Sequence, residues 1–166
     1  MGLSAPEPLT SAHDISRFAC GKPQLDHWLK TRALGNQDKG FTAVMVVHEA
    51  GRVAGYYGLS PTAVIPGKLP RSIRTGQPPD PVPCILLGQL ATNLEWAGRG
   101  VGTGLLKHAF HRSVAAAQLI GGRALMVNAI DAEAGDFWRR RGFSPSRDDP
   151  LVLFRSMAAV AAALIA

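Results

Sequence analysis

Arg99-Gly100-Val101-Gly102-Thr103-Gly104 decides the fold because of what stands on either side of it. Before it runs Cys84 to Leu94 (Cys-Ile-Leu-Leu-Gly-Gln-Leu-Ala-Thr-Asn-Leu), an apolar stretch that predicts a buried strand. After it, Leu105, Leu106, Ala109, Phe110, Val114 and Ala117 recur at helical spacing, while Lys107, His108, His111 and Arg112 lie off that stripe. The pattern predicts an amphipathic helix, ended by Gly121-Gly122. Glycines at every second position from Gly98 to Gly104 permit positive φ and leave no Cβ in the way of a ligand. A turn of this kind points unpaired N–H groups and a positive dipole end at one spot. Arg99 adds a planar donor fork suited to phosphate, so the stretch reads as a pyrophosphate cradle.

The spacing narrows what the cradle holds. The dinucleotide pattern GxGxxG fails, since Leu105 or Thr103 falls where the last glycine belongs. The Walker pattern fails too, because Lys107 follows no glycine and is followed by His108. What fits is R-x-x-G-x-G, carried by Arg99, Gly102 and Gly104. The plain alternative is a glycine-rich turn with no ligand.

Further out, strands and helices alternate. Leu25, Trp28, Leu29 and Arg32 sit at helical spacing. Phe41 to His48 and Val53 to Leu59 are β-rich runs joined by Glu49-Ala50-Gly51-Arg52, which predicts a hairpin. Ala124 to Ile130 predicts a short strand, Ala132 to Arg141 a helix stopped at Gly142, and Leu151 to Met157 a last strand. The expectation is a mixed α/β fold in one domain spanning residues 1–166. Pro66 to Pro83 holds six prolines and two glycines with Lys68, Arg71 and Arg74, and predicts a long basic surface loop.

Composition bounds the function. The chain is 46% hydrophobic and 18% charged, as globular proteins are. Its net charge of +6 favours an anionic partner, whether a phosphorylated cofactor, a nucleic acid or an acidic protein. Cys20 and Cys84 form no ligand spacing and read as small apolar residues of a reducing cytoplasm. The start has no signal-peptide pattern, and the apolar run Met157 to Ala166 falls short of the roughly 20 residues a membrane span needs. No membrane association and a cytoplasmic location are expected. The five histidines are scattered in sequence, and no metal site is expected from them.

The glycine turn and Phe137-Trp138-Arg139-Arg140-Arg141-Gly142-Phe143 together resemble the GNAT acetyltransferases. In that superfamily an R/Q-x-x-G-x-G/A loop binds the CoA pyrophosphate, and an F-Y-x-x-x-G-F helix flanks the thioester. Cys20, Leu25-Asp26, Trp28-Leu29-Lys30, Ala33 and Asn36-Gln37 resemble the opening of the GNAT toxins of type II toxin–antitoxin pairs. Val53 to Leu59, Leu87-Gly88-Gln89-Leu90-Ala91 and Leu153-Phe154 are similar to that group as well, so the likeness covers nearly the whole chain. It implies a twisted mixed sheet with a V-shaped split between two parallel strands, flanked by helices. It also implies acetyl-CoA as cofactor. Backbone groups of Leu90, Ala91 and Thr92 would bind the pantetheine arm, Arg99, Gly100, Val101, Gly102, Thr103 and Gly104 the pyrophosphate, and Asn128 with Phe137 the thiol end.

One position departs from the pattern. Acetyl transfer needs a neutral amine, a polarised thioester and a supported leaving thiolate. The family's tyrosine hydroxyl serves that thiolate, yet the matching residue here is Trp138, whose indole N–H donates a hydrogen bond but no proton. Three readings stand. Trp138 supports the thiolate by hydrogen bonding alone; Tyr56, Tyr57 or a water replaces the acid; or the chain is slow or inert. No general base is evident, because Asp131, Glu133 and Asp136 suit the start of a helix. An α-amine, with a pKa of about 7.7–8.0, is already partly neutral at pH 7, unlike a lysine side chain at about 10.4.

The toxin resemblance implies such an acceptor, the α-amine of aminoacyl-tRNA, whose acetylation blocks translation. Lys30, Arg32, Arg71, Arg74, Arg139 and Arg140 are the candidate tRNA contacts. The implied partner is a small ribbon-helix-helix antitoxin, and a homodimer is admitted. The rival readings are a metabolic or protein N-acetyltransferase, and a catalytically weak binding module on the same fold.

Overall fold

The computed structural model describes residues 2–165. Sixteen residues of α1 (Pro23–Trp28), a π-helical turn (Leu29–Ala33) and α2 (Leu34–Asp38) follow β1 (Glu7–Pro8) as one winding segment. Next come β2 (Ala43–Glu49), β3 (Arg52–Val64) and β4 (Val82–Thr92). The second half runs α3 (Val101–Ile120), β5 (Ala124–Asn128), α4 (Ala132–Arg139), β6 (Ser144–Pro145), β7 (Val152–Ser156) and α5 (Met157–Ile165). The seven strands form a mixed sheet of order β1-β2-β3-β4-β5-β7-β6. The expected α/β class is what the chain adopts.

Two compact units divide the chain. One reaches to Ser60 and resumes at Gln89–Ala109; the other holds Pro61–Gly88 and everything from Phe110 onward. In the first, β2 and β3 form the hairpin that the sequence predicts, with Ala50 and Gly51 both at positive φ in its turn. Phe18, Leu29, Val44, Val46 and Tyr56 fill its core. Trp28 stacks on Tyr56 at 6.0 Å, and Phe18 meets the same ring edge-on at 5.5 Å.

In the second unit β4 and β5 run parallel, paired at Ile85↔Leu125, Leu86↔Met126 and Leu87↔Val127. β5 pairs antiparallel with β7 from Ala124↔Ser156 to Asn128↔Val152. Val64, Leu69, Ile73, Val82, Cys84, Ala124 and Phe154 form its core. Gly121, at φ +88, ends α3 with its N–H on Ala117 O (2.8 Å).

The proline-rich segment corrects the sequence expectation. Arg71 is exposed as a surface loop requires, but Leu69 and Ile73 are buried, and Val82 and Pro83 already belong to β4. Two apolar side chains four residues apart anchor the segment, and Arg123 Nε donates to Ile73 O (3.0 Å), giving its backbone a partner. β3 likewise runs five residues past its expected end at Leu59, through Pro61. The apolar tail forms α5, with Met157 and Val160 buried. Among the described residues no helix is long and apolar enough to cross a membrane.

Candidate functional site

The glycine turn is built by its flanks. Asn93 N–H donates to Ala54 O (2.7 Å), and the Asn93 side chain accepts from Glu95 N–H (3.0 Å), which starts a short 3-10 turn at Leu94–Trp96. Gly98 and Gly100 then take φ +75 and +80, a region that disfavours side chains, and swing the chain into α3. Gly104 N–H makes the first bond of the helix, to Gly100 O (3.0 Å). The N–H groups of Val101, Gly102 and Thr103 precede it and have no acceptor inside the helix. A Cβ on Gly98, Gly100 or Gly104 would meet nothing within 4 Å, so their faces lie open. Arg99 is exposed, its guanidinium 4.8 Å above the Trp96 ring. Three donors, a helix dipole of about half a charge and one arginine make a site for a dianion. These residues fit the pyrophosphate of CoA.

The strand beside the turn is held close. A Cβ on Gly55 would lie 2.7 Å from Leu105 Cδ1 and 3.2 Å from Ala91 O, so only glycine lets β3, β4 and the start of α3 approach this far. A Cβ on Gly102 would lie 3.3 Å from Thr92 Oγ1. The structure thus brings Ala91 and Thr92 beside the start of α3. Beyond Leu87 the recorded ladder of β4 with β5 ends, while β4 continues to Thr92.

The sequence reading missed one polar atom on this strand. Gln89 Oε1 is sealed from solvent and has no hydrogen-bond partner, a condition that costs about 1–3 kcal/mol. The available signal was a glutamine inside an otherwise apolar strand.

Neither tyrosine offers a loose hydroxyl. Tyr56 OH donates to Leu25 O (2.7 Å), and burial pushes its pKa far above the ordinary phenol value. Tyr57, also fully buried, has its hydroxyl 2.7 Å from His108 Nδ1. Both side chains act as packing with a fixed polar tether.

Asn128, Phe137 and Trp138 belong to the second unit. Asn128 is exposed at the end of β5. Asp131 caps α4 by accepting from Ala134 N–H (2.8 Å), the structural role that its position suggests. Phe137 lies under the Arg141 guanidinium, 3.5 Å from the ring centroid, and Arg141 also donates to Phe137 O. Trp138 is buried, edge-on to Phe137 and to Phe143 at 5.0 Å each. It is a packing residue whatever else it does.

The cationic candidates differ in freedom. Lys30, Arg32, Arg71 and Arg140 are exposed, and Arg74 is half-buried. Arg139 is tied to Asp136 (3.1 Å) and to Pro150 O (3.1 Å). Burial pushes the Cys20 and Cys84 thiols up to about 11, which removes both as nucleophiles near neutral pH.

Two of the scattered histidines meet. His13 Nε2 and His48 Nε2 lie 2.8 and 2.7 Å from the same oxygen, Glu7 Oε1. A cation held here would use all three side chains. Yet His13 Nδ1 accepts from Thr10 N–H (2.9 Å) and His48 Nδ1 from Gly51 N–H (3.0 Å). With Nδ1 accepting, the neutral ring carries its proton on Nε2, the reverse of a metal-ligating histidine. The cluster reads as a hydrogen-bonded staple of β1 to β2.

Comparison with known proteins identifies the family. The acetyltransferase (GNAT) family model matches residues 9–143, and the chain belongs to that family. The chain is 41% identical to the tRNA-acetylating toxin of Mycobacterium tuberculosis, over 94% of its own length and 93% of the relative's. AtaT complexed with acetyl-methionyl-tRNA superposes with a TM-score of 0.87 at 25% identity, covering 98% of this chain and 99% of that one. A tyrosine-to-phenylalanine variant of AtaT, bound to the C-terminus of the antitoxin AtaR, gives 0.81 at 25% identity, covering 97% and 96%.

Proposed function

We propose that the chain, acting as one catalytic domain, is the toxin of a type II toxin–antitoxin pair that acetylates the α-amine of aminoacyl-tRNA. The observation that carries this reading is the near-full-length likeness to a tRNA-acetylating toxin. The cradle of Arg99 and the α3 N-terminus supports it, as does the net charge of +6. Bound acetyl-CoA supplies the acetyl group as a thioester. The N–H groups of Val101, Gly102 and Thr103, with Arg99, hold its phosphates, and the backbone of Leu90 to Thr92 holds the arm. Asn128 and Phe137 attend the thiol end. An α-amine acceptor suits a site with no evident base, because much of it is already neutral near pH 8.

Trp138 stands where the family has its tyrosine. Since the hydroxyls of Tyr56 and Tyr57 are engaged, hydrogen bonding from the Trp138 indole is the favoured support for the leaving thiolate. Trp138→Phe then lowers kcat by roughly tenfold, the worth of one hydrogen bond to a charged group. Equal and negligible turnover in both forms would favour the silent binding module. The partner is a small antitoxin of the ribbon-helix-helix class, and the site of action is the cytoplasm, where charged tRNA is found.

The test is direct. Purified protein is given radiolabelled acetyl-CoA and a pool of charged tRNAs, and N-acetylaminoacyl-tRNA is the expected product. Acetylation of a free polyamine or a peptide, with every charged tRNA untouched, would move the assignment to a metabolic or protein acetyltransferase.

A further inference from the structure

We propose that the Gln89 side chain receives the acceptor amine, a role that rests on the amine-acetylating function proposed above. Gln89 stands on β4 immediately before Leu90, the first residue of the stretch suited to the pantetheine arm. Its Oε1 is a strong acceptor with no donor near it, sealed inside a protein where buried polar atoms are nearly always paired. A Cβ placed on Gly58 would lie 2.8 Å from this oxygen, 2.9 Å from Thr42 Cγ2 and 3.7 Å from Trp28 Cη2. The oxygen therefore faces the bare Cα side of Gly58, where Thr42 and Trp28 also converge, and it accepts from no donor there. Water is excluded from the atom, and the chain itself supplies no substitute.

The rest of the side chain is not sealed. Gln89 as a residue is only half-buried, and so are Trp28 and Thr42. The terminal amide torsion is soft, so a half-turn exchanges oxygen for nitrogen at little cost. That motion presents the oxygen to a ligand on the open side. Its partner must bring an N–H donor and tolerate an uncharged, partly apolar surround, as the amine end of an aminoacyl ester does. The oxygen accepts one N–H and leaves the nitrogen lone pair free. In the transfer the lone pair forms the N–C bond, the C–S bond breaks with its electrons on sulfur, and the amine's surplus proton leaves to solvent. Trp28 is well set for such a wall. Tyr56 holds its ring by stacking, and the π-helical turn that begins at Leu29 re-aims the helix directly after it.

The experiment measures binding of charged and deacylated tRNA without acetyl-CoA. The wild type is expected to prefer charged tRNA. Gln89→Leu loses about tenfold of that preference, while its affinities for deacylated tRNA and for acetyl-CoA stay within about twofold. Gln89→Glu keeps an oxygen in place and keeps the preference, whereas Gln89→Asn draws it back and loses it; these two decide the matter if the leucine variant does not fold. An unchanged preference in Gln89→Leu, or an equal loss for deacylated tRNA, overturns the proposal. Should the wild type acetylate only a polyamine or a peptide, the tRNA reading fails and Gln89 is tested on that amine. A tenfold rise in its KM with unchanged acetyl-CoA affinity then sustains the role of Gln89, and an unchanged KM ends it.

Discussion

Burial at single residues sets how this protein responds to alkali. The Cys20 and Cys84 thiols, held at about 11 chiefly by desolvation, are protonated in the folded chain well past the pH at which an unfolded thiol ionises, about 8.5. A raised acid pKa means that the folded state binds the extra proton. The stability it contributes is complete below about pH 8.5 and is lost as pH climbs towards 11. Tyr56, shifted in the same direction by burial, extends the loss further. Thermal melts are therefore expected to fall steadily between pH 8.5 and 11, and Cys84→Ala should flatten part of that slope. At pH 8 the native thiols should react with iodoacetamide far more slowly than in denaturant. A thiol that labels at the denatured rate would contradict its burial.

At the scale of the element, two glycines two residues apart should respond differently. Gly104 lies in the first turn of α3 with open space where a Cβ would go, so Gly104→Ala is expected to stabilise the fold by about 0.5–1 kcal/mol through helix propensity. Gly102→Ala sets a methyl 3.3 Å from Thr92 Oγ1, between the helix start and the strand that the cofactor arm would line. Acetyl-CoA should bind it at least tenfold more weakly by calorimetry, with only a small change in melting temperature. The hairpin turn gives a third case: Ala50 at φ 50 pays for a left-handed conformation, and Ala50→Gly should gain about 0.5 kcal/mol in a denaturant titration.

These elements also mark what was legible in the sequence. The glycine turn, the stripe of α3 and the β2–β3 hairpin were readable because local chemistry dictates them. Two-residue β1 and β6 carry no pattern of their own; each exists because a neighbouring strand offers it a ladder. Leu69 and Ile73 were hidden among prolines, since their burial depends on distant Ala124 and Phe154. At the candidate site, residues 90–92 and 99–104 were nameable from the motif. The orphaned Gln89 oxygen and the tethered tyrosine hydroxyls were not, because a hydrogen bond to a carbonyl thirty-one residues away leaves no trace in local sequence.

For the whole molecule, the net charge of +6 makes any tRNA complex sensitive to salt. Each phosphate neutralised releases counterions, so affinity falls as a power of salt concentration set by the number of contacts. With about four contacts, raising salt from about 50 to 200 mM should weaken binding by roughly a hundredfold. The cations should not contribute alike. Lys30 and Arg32 are exposed and two positions apart in sequence, so Lys30→Ala with Arg32→Ala should flatten the salt slope by up to about two contacts. Arg139 is already committed to Asp136 and the Pro150 carbonyl. Arg139→Ala should therefore leave the slope near its original value and show instead as a small loss of stability around α4. A salt slope that falls by a full contact in Arg139→Ala, with Lys30 and Arg32 silent, would place the nucleic acid on the arginine run that follows Trp138 rather than on the turn of helix beyond Trp28.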